Sequence, residues 1–424
     1  MELKRVVVTG LGAVTPIGNT AREFWENAVA GVSGAAPVSC FDTEKIKTKV
    51  KFACEVKGFE IGDYMDRKEA RKMDRYAQYA IASAVQAIRD SGLDLEKENL
   101  ERIGVITGFG MGGVDSFEEG NDTIHEQKKL GQELKVTPFF VPRILGSIAA
   151  GQISIMFKLQ GPNYATSSAC ASGTHALIDA VNLIRLGKAE VIVSGGAEAA
   201  VGDCGICGFG VMHALSTRND SPATASRPMS ASRDGFVLGE GGGMLILEEL
   251  EHAKARGARI YAEVAGWGAT ADAYHVTAPD PEGNGAKRVM QEALDDAGLT
   301  PADIDYINMH GTSTPLGDIA ECKAIKAVFK EDAYRLNLSS TKSMTGHLLG
   351  GAGAIEAIVS VLAVKNDIVP PTINHEEGDD DPDIDYRMDF TFNKARKRTV
   401  RAALSNTFGF GGHNSCIIFK KFKD

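Results

Sequence analysis

No apolar stretch in the 424 residues is read as long enough to span a bilayer. The opening "MELKRVVVTG" enters a strand pattern directly and lacks the apolar core of a secretory leader. Seven cysteines, an odd number without framework spacing, argue against a disulfide scaffold and fit reduced thiols in the cytoplasm. Basic residues are in deficit, and the net charge of −10 argues against general affinity for nucleic acid or an anionic membrane. No low-complexity linker divides the chain, and the acidic run Glu376–Asp383 reads as an exposed loop. "CGIC" at Cys204–Cys207 is one pair without partner ligands, so no metal site is expected. "VVVTGLG" and "VITGFGMGG" lack the full G-x-G-x-x-G arrangement with a later acidic residue, so no dinucleotide cofactor is expected either.

What is abundant is glycine, 47 residues, clustered at Gly110–Gly113, Gly239–Gly243 and Gly350–Gly353. Such clusters let backbone approach backbone or ligand closely, and point to a site built from several loops. Short β-branched runs alternate with helical segments, which predicts a layered α/β fold. Strands are expected at Arg5–Thr9, Ile103–Thr107, Glu190–Ser194, Gly243–Leu247, Tyr306–Met309 and Cys416–Lys420.

The element order repeats. "RYAQYAIASAVQAIRDSGL" (Arg75–Leu93) is an amphipathic helix with a glycine stop, followed by a polar stretch and the strand "RIGVITG". "KRVMQEALDDAGL" (Lys287–Leu299) leads in the same way to "YINMHG". Each strand is followed by a small-residue turn opening a further helix, near Cys170 in one case and near His347 in the other. Two halves are expected, residues 1–260 and 261–424, with a ligand at their junction.

"SSACASGTHAL" (Ser167–Leu177) places one thiol among Ser, Ala and Gly at the start of a helix over Ser172–Leu186. A helix N-terminus favours an anion, so Cys170 is expected to be a thiolate nucleophile rather than an inert packing cysteine. His310 ends the strand "YINMHG", a position that commonly points into a cleft at the sheet's carboxyl edge. His347 lies in "STKSMTGHLLGGAGAIE", five positions after Lys342. His125, His252 and His375 read as surface or satisfied core histidines.

Together and in order, "VVVTGLGAVTPIG", "ACASGTHAL", "ALSTRND", "SRDGFVLGEGGG", "HGTSTPLGD", "KSMTGHLLGGAGAIE" and "SNTFGFGGHN" resemble the elongating β-ketoacyl-acyl-carrier-protein synthases of the thiolase-like superfamily, over nearly the whole chain. The resemblance implies a five-layered α-β-α-β-α fold of two pseudo-repeated halves and a homodimer. It implies decarboxylative Claisen condensation of an acyl chain, held on Cys170, with malonyl-carrier protein, in fatty acid elongation and without cofactor. It assigns His310 and His347 to the malonyl thioester, Lys342 to site geometry and charge, and Glu356 as its ion-pair partner. The N–H groups of Cys170 and Phe410 become an oxyanion hole, with Phe408 and Phe410 as a gate flexed by Gly409 and Gly411. Thr312 and Thr314 take the pantetheine arm, though the same residues build ordinary turns. Met111 and Phe209 line the acyl pocket, Met111 being nearly as well read as plain core. Lys68, Arg71 and Lys72 resemble a docking face for the acyl carrier protein on one side of a helix. Four positions depart from the pattern: Met229 and Ser230 in "RPMS", His213 in "MHALS", and His413 in "FGFGGHN". These leave room for a ketosynthase of a specialised polyketide or polyene pathway. A non-catalytic chain-length partner would instead have lost the thiol.

Overall fold

The computed structural model describes residues 3–423. Ten strands form the main sheet: β1 Val6–Val14, β2 Ile103–Gly108, β3 Asn163–Thr166, β4 Val191–Glu198, β5 Gly241–Glu249, β6 Ala262–Ala271, β7 Tyr306–Asn308, β8 Asn337–Ser339, β9 Ala402–Gly409 and β10 His413–Lys420. Their order is β8-β7-β9-β10-β6-β1-β5-β4-β2-β3. Read outward from β1 and from β6, both sides run two antiparallel pairings and then two parallel ones. The sides meet in a short antiparallel ladder, Val6–Val8 against Ala262–Val264.

The helices used below are α1 Arg75–Ser91, α2 Ile148–Phe157, α3 Ser172–Arg185, α4 Asp203–Val211, α5 Asn284–Ala297, α6 Pro315–Phe329 and α7 Ala352–Asn366. Asp74 caps α1 by accepting from Tyr76 N–H, and Gly92 ends it at φ 65°. α1 covers β1, β5 and β4 from outside, and α5 covers β6 and β10. Between the two sets of strands lie α3 and α7, packed on each other. Buried almost all round, α7 carries apolar residues on every face. The layers run α1, strands, α3 with α7, strands, α5: the thiolase-like five-layered arrangement expected from the resemblance.

Three expectations are corrected. The segment Leu349–Asn366 does have the length and apolarity of a membrane span, with mean hydropathy 1.3, but 89% of it is buried in this protein's core. The acidic run is not simply exposed: Asp379 accepts from Ser232 N–H and Oγ, and Asp381 pairs with buried Arg233 at 2.7 Å. Four strands (β3, β6, β8 and β9) went unread. β6 is rich in glycine because α5 presses on it: a Cβ on Gly268 would lie 2.3 Å from Val289 O.

Candidate active site

Cys170 sits in the turn from β3 into α3. Ala169 takes φ 52°, and Ser172 ties the turn by accepting from Ser168 N–H and donating to Ala169 O. This strained elbow lifts the thiol two residues ahead of the helix and into a cavity of about 420 Å³. The cavity is lined by Cys170, His310, His347, Phe209, Phe408, Phe410, Thr312 and Thr314. His347 Nε2 lies 3.0 Å from Cys170 Sγ. The rings of His310 and His347 stand edge to face, centroids 5.4 Å apart. Phe408 packs on His310 and Phe236 on His347, at 5.6 and 5.3 Å.

The charge state differs from the sequence expectation. Burial pushes the Cys170 thiol up to about 12; the Lys342 charge and the N–H groups of Phe410 and Cys170 oppose this without reversing it. A helix start alone does not make the anion here. Burial first, and then the Lys342 charge, hold both imidazoles well below the usual histidine range. The resting site is therefore a thiol beside two neutral rings. Nδ1 of each ring has no hydrogen-bond partner among the described residues, so no second contact fixes the tautomer. A neutral ring can accept from the thiol in one tautomer and donate to a substrate oxygen in the other.

Lys342 and Glu356 form a fully buried ion pair. Burial raises the Glu356 carboxyl to about 7 against the pull of Lys342. The Phe410 backbone reaches Cys170 because Gly409 runs against it: a Cβ on Gly409 would lie 2.8 Å from Ser168 O and 3.2 Å from Cys170 N. Gly409 is thus demanded by close approach, whereas Gly411, at φ 87°, is demanded by backbone conformation. Thr312 and Thr314 share a 3.0 Å hydroxyl contact at the cavity wall.

Two expectations about outlying residues change. Met111 is 39% exposed and does not line the cavity. Its N–H, with those of Gly110 and Gly112, is gathered by Glu198, which pins the loop. Lys68, Arg71 and Lys72 do not share a regular helical face, because the helix is a single turn, Arg67–Ala70, with Arg71 as its C-cap. Lys72 is moreover paired with Glu69 at 2.6 Å, leaving Lys68 and Arg71 as the exposed charges.

Sequence reasoning missed the carboxylates that hold the loops. Glu321 on α6 accepts from His310 N–H at 2.9 Å and Gly311 N–H at 2.8 Å, and Asn406 donates to it. Glu198 also accepts from Gly350 N–H, three residues beyond His347. Burial raises both carboxyls to about 7. The available signal was carboxylates one turn apart on a mostly apolar helix: Asp318 and Glu321 lie among Ala320, Cys322, Ala324 and Ile325. The departing residues are accommodated. Met229 N–H donates to Asp318 while the side chain is buried, and Ser230 Oγ meets His375 Nδ1 at 3.0 Å. His213 lines the cavity at φ 55°, and His413 opens β10 beside Gly411.

Residues 3–253 match the family described as beta-ketoacyl synthase, N-terminal domain, and residues 261–376 match its C-terminal domain. The chain is 49% identical over 420 residues to a 3-oxoacyl-[acyl-carrier-protein] synthase 2 of Staphylococcus aureus, covering 99% of each. It is 48% identical over 425 residues to the protein of that name from Vibrio harveyi, covering 100% of each. Among solved structures it is similar to a beta-ketoacyl synthase from Burkholderia phymatum, with TM-score 0.89 and 36% identity over 99% of this chain and 100% of that one. It is also similar to a type II polyketide ketosynthase solved with its acyl-carrier protein, with TM-score 0.90 and 33% identity, again over 99% and 100%. Identity this high over the full length goes beyond shared architecture, and the chain is a member of the beta-ketoacyl synthase family.

Proposed function

We propose that the chain is an elongating 3-oxoacyl-[acyl-carrier-protein] synthase acting in fatty acid synthesis, with residues 1–260 supplying the nucleophile and 261–424 the two histidines. The 3.0 Å contact between His347 Nε2 and Cys170 Sγ, with His310 beside it, carries this reading. His347 takes the thiol proton as Cys170 attacks the acyl-carrier thioester, and returns it to the departing pantetheine sulfur. The tetrahedral oxygen is met by the N–H groups of Cys170 and Phe410. Malonyl-carrier protein then enters along Thr312 and Thr314. Its thioester oxygen, between the two imidazole N–H groups, takes the negative charge as the carboxyl leaves as CO₂. The carbanion attacks the acyl-Cys170 carbonyl and expels the thiolate, which takes a proton from solvent by way of His347 to restore the resting thiol. Lys342, paired with Glu356, sets the position and local field of the cluster without touching substrate.

Phe408 and Phe410 act as the gate and Phe209 as a wall of the acyl pocket. Of Lys68, Arg71 and Lys72, the exposed Lys68 and Arg71 give local attraction for an acidic carrier on an otherwise acidic chain, Lys72 being paired with Glu69. The enzyme works as a cytoplasmic homodimer, needing neither metal nor organic cofactor. Support for a dimer comes from β3, an edge strand, and from neighbouring α2, whose Ile155 is 71% exposed. Met111 belongs to the acyl pocket only in that assembly, since in the single chain it faces outward. The relatives at 48–49% identity carry the name 3-oxoacyl-[acyl-carrier-protein] synthase 2, which favours this over a specialised polyketide role; the type II polyketide ketosynthase stands at 33%.

The test is Cys170→Gln. Gln imitates the acylated thiol, so the variant is expected to release CO₂ from malonyl-carrier protein while forming no 3-oxoacyl product. Normal chain elongation by the variant would remove Cys170 as nucleophile.

A further inference from the structure

Helix α4 turns two faces to different tasks. Its inner face is seated on the chain's own backbone: Gly205 and Ile206 are buried, and a Cβ on Gly205 would lie 1.9 Å from Ala200 O. The same helix presents Phe209 to the cavity, where its ring packs on Phe236 and Phe410 at 5.5 and 6.4 Å. Its outer face carries Cys204 and Cys207, both exposed, with free thiols and one turn apart. Residues three apart on a helix have Cβ atoms about 5–6 Å apart, whereas a disulfide needs about 3.5–4.5 Å. Bond formation therefore tightens this turn by about 1–2 Å. Little resists such a change: Cβ atoms on Gly208 and Gly210 would meet nothing within 4 Å, and glycine weakens a helix interior.

We infer that Cys204 and Cys207 form a reversible dithiol–disulfide pair, oxidised by low-molecular-weight disulfides, that repositions Phe209 in the acyl pocket. The inference rests on the proposed role of Phe209. Glu118 and Asp203 disfavour a thiolate at Cys204, after burial has already raised that thiol, so Cys207 is the first to react. The Cys207 thiolate attacks the small disulfide, forming a mixed disulfide and releasing one small thiolate. Cys204 then attacks Cys207 Sγ and expels the second. Two electrons pass from the protein thiols to the small disulfide, and the two protons end on the released thiols. Cys40 is the other exposed thiol. Burial and its hydrogen bond to Glu55 push it up to about 12, which keeps it out of the exchange.

The full-length protein is equilibrated with excess oxidised glutathione, and the remaining thiols are then capped. Expected are a protein carrying two caps fewer than the capped reduced control, with no glutathione added, and a peptide joining Cys204 to Cys207. Condensation of long acyl chains should fall by up to about a hundredfold in kcat/KM relative to short ones, the scale set by an ångström of misplacement, with recovery in dithiothreitol. Cys207→Ser should keep the reduced protein's activity and lose the redox response. Stable glutathione adducts in place of the internal bond overturn the inference, as does a disulfide that leaves the chain-length profile unchanged. Should the reduced protein not condense at all, the functional reading falls. The mass and the Cys170 alkylation rates of the two redox forms then still decide this one.

Discussion

At Cys170, desolvation and local charge work against each other, and desolvation is the larger. The elbow that exposes the sulfur to substrate also removes it from bulk water, so a proton acceptor is needed at the moment of attack. His347, 3.0 Å away, is the acceptor in the function we propose. Alkylation of Cys170 by iodoacetamide should therefore accelerate with rising pH through 9 and 10 without levelling near the ordinary thiol value, because the folded-state thiol is pushed up to about 12. A plateau near pH 8 would mean a stabilised thiolate and return the helix start to the leading role. The histidines, held well below their ordinary value, stay neutral across this range and add no inflection of their own near pH 6.5. That Cys170, His310 and His347 would meet at one cavity was legible in the sequence because their surrounding motifs are dense. Their protonation states were not, because burial belongs to the fold and not to any local pattern.

Among the elements, the turn before His347 and the start of α7 are joined by the Lys342–Glu356 pair. Removing one member of a buried pair leaves an unpaired charge, so Lys342→Ala should cost about 3–5 kcal/mol in chemical denaturation. Lys342→Met combined with Glu356→Leu should recover most of that stability while condensation stays lost. If the double variant condenses normally, the pair is structural only. The strands read from sequence were the β-branched ones. β6 and β9 were missed because small residues there admit helices or the active-site backbone, so packing rather than propensity selected them. The basic trio was misread as a helical face because spacing of three and four residues says nothing about where a helix stops. Arg67–Ala70 is too short to carry them all.

For the whole molecule, assembly is the open variable. Sedimentation should report about twice the single-chain mass, and Ile155→Lys on α2 should shift the protein toward a monomer that has lost long-chain activity first. A wild-type monomer of full activity would remove the dimer from the proposal. The two sides of the sheet are stitched by Val6–Val8 on Ala262–Val264, at the centre rather than through a linker. A jaw-like opening would have to tear those backbone hydrogen bonds on every turnover. The reacting groups are therefore never laid bare by separating the two lobes, and an acyl chain must be threaded in past side chains and small loops. Access to the thiol then runs through that doorway rather than through any large swing of the body.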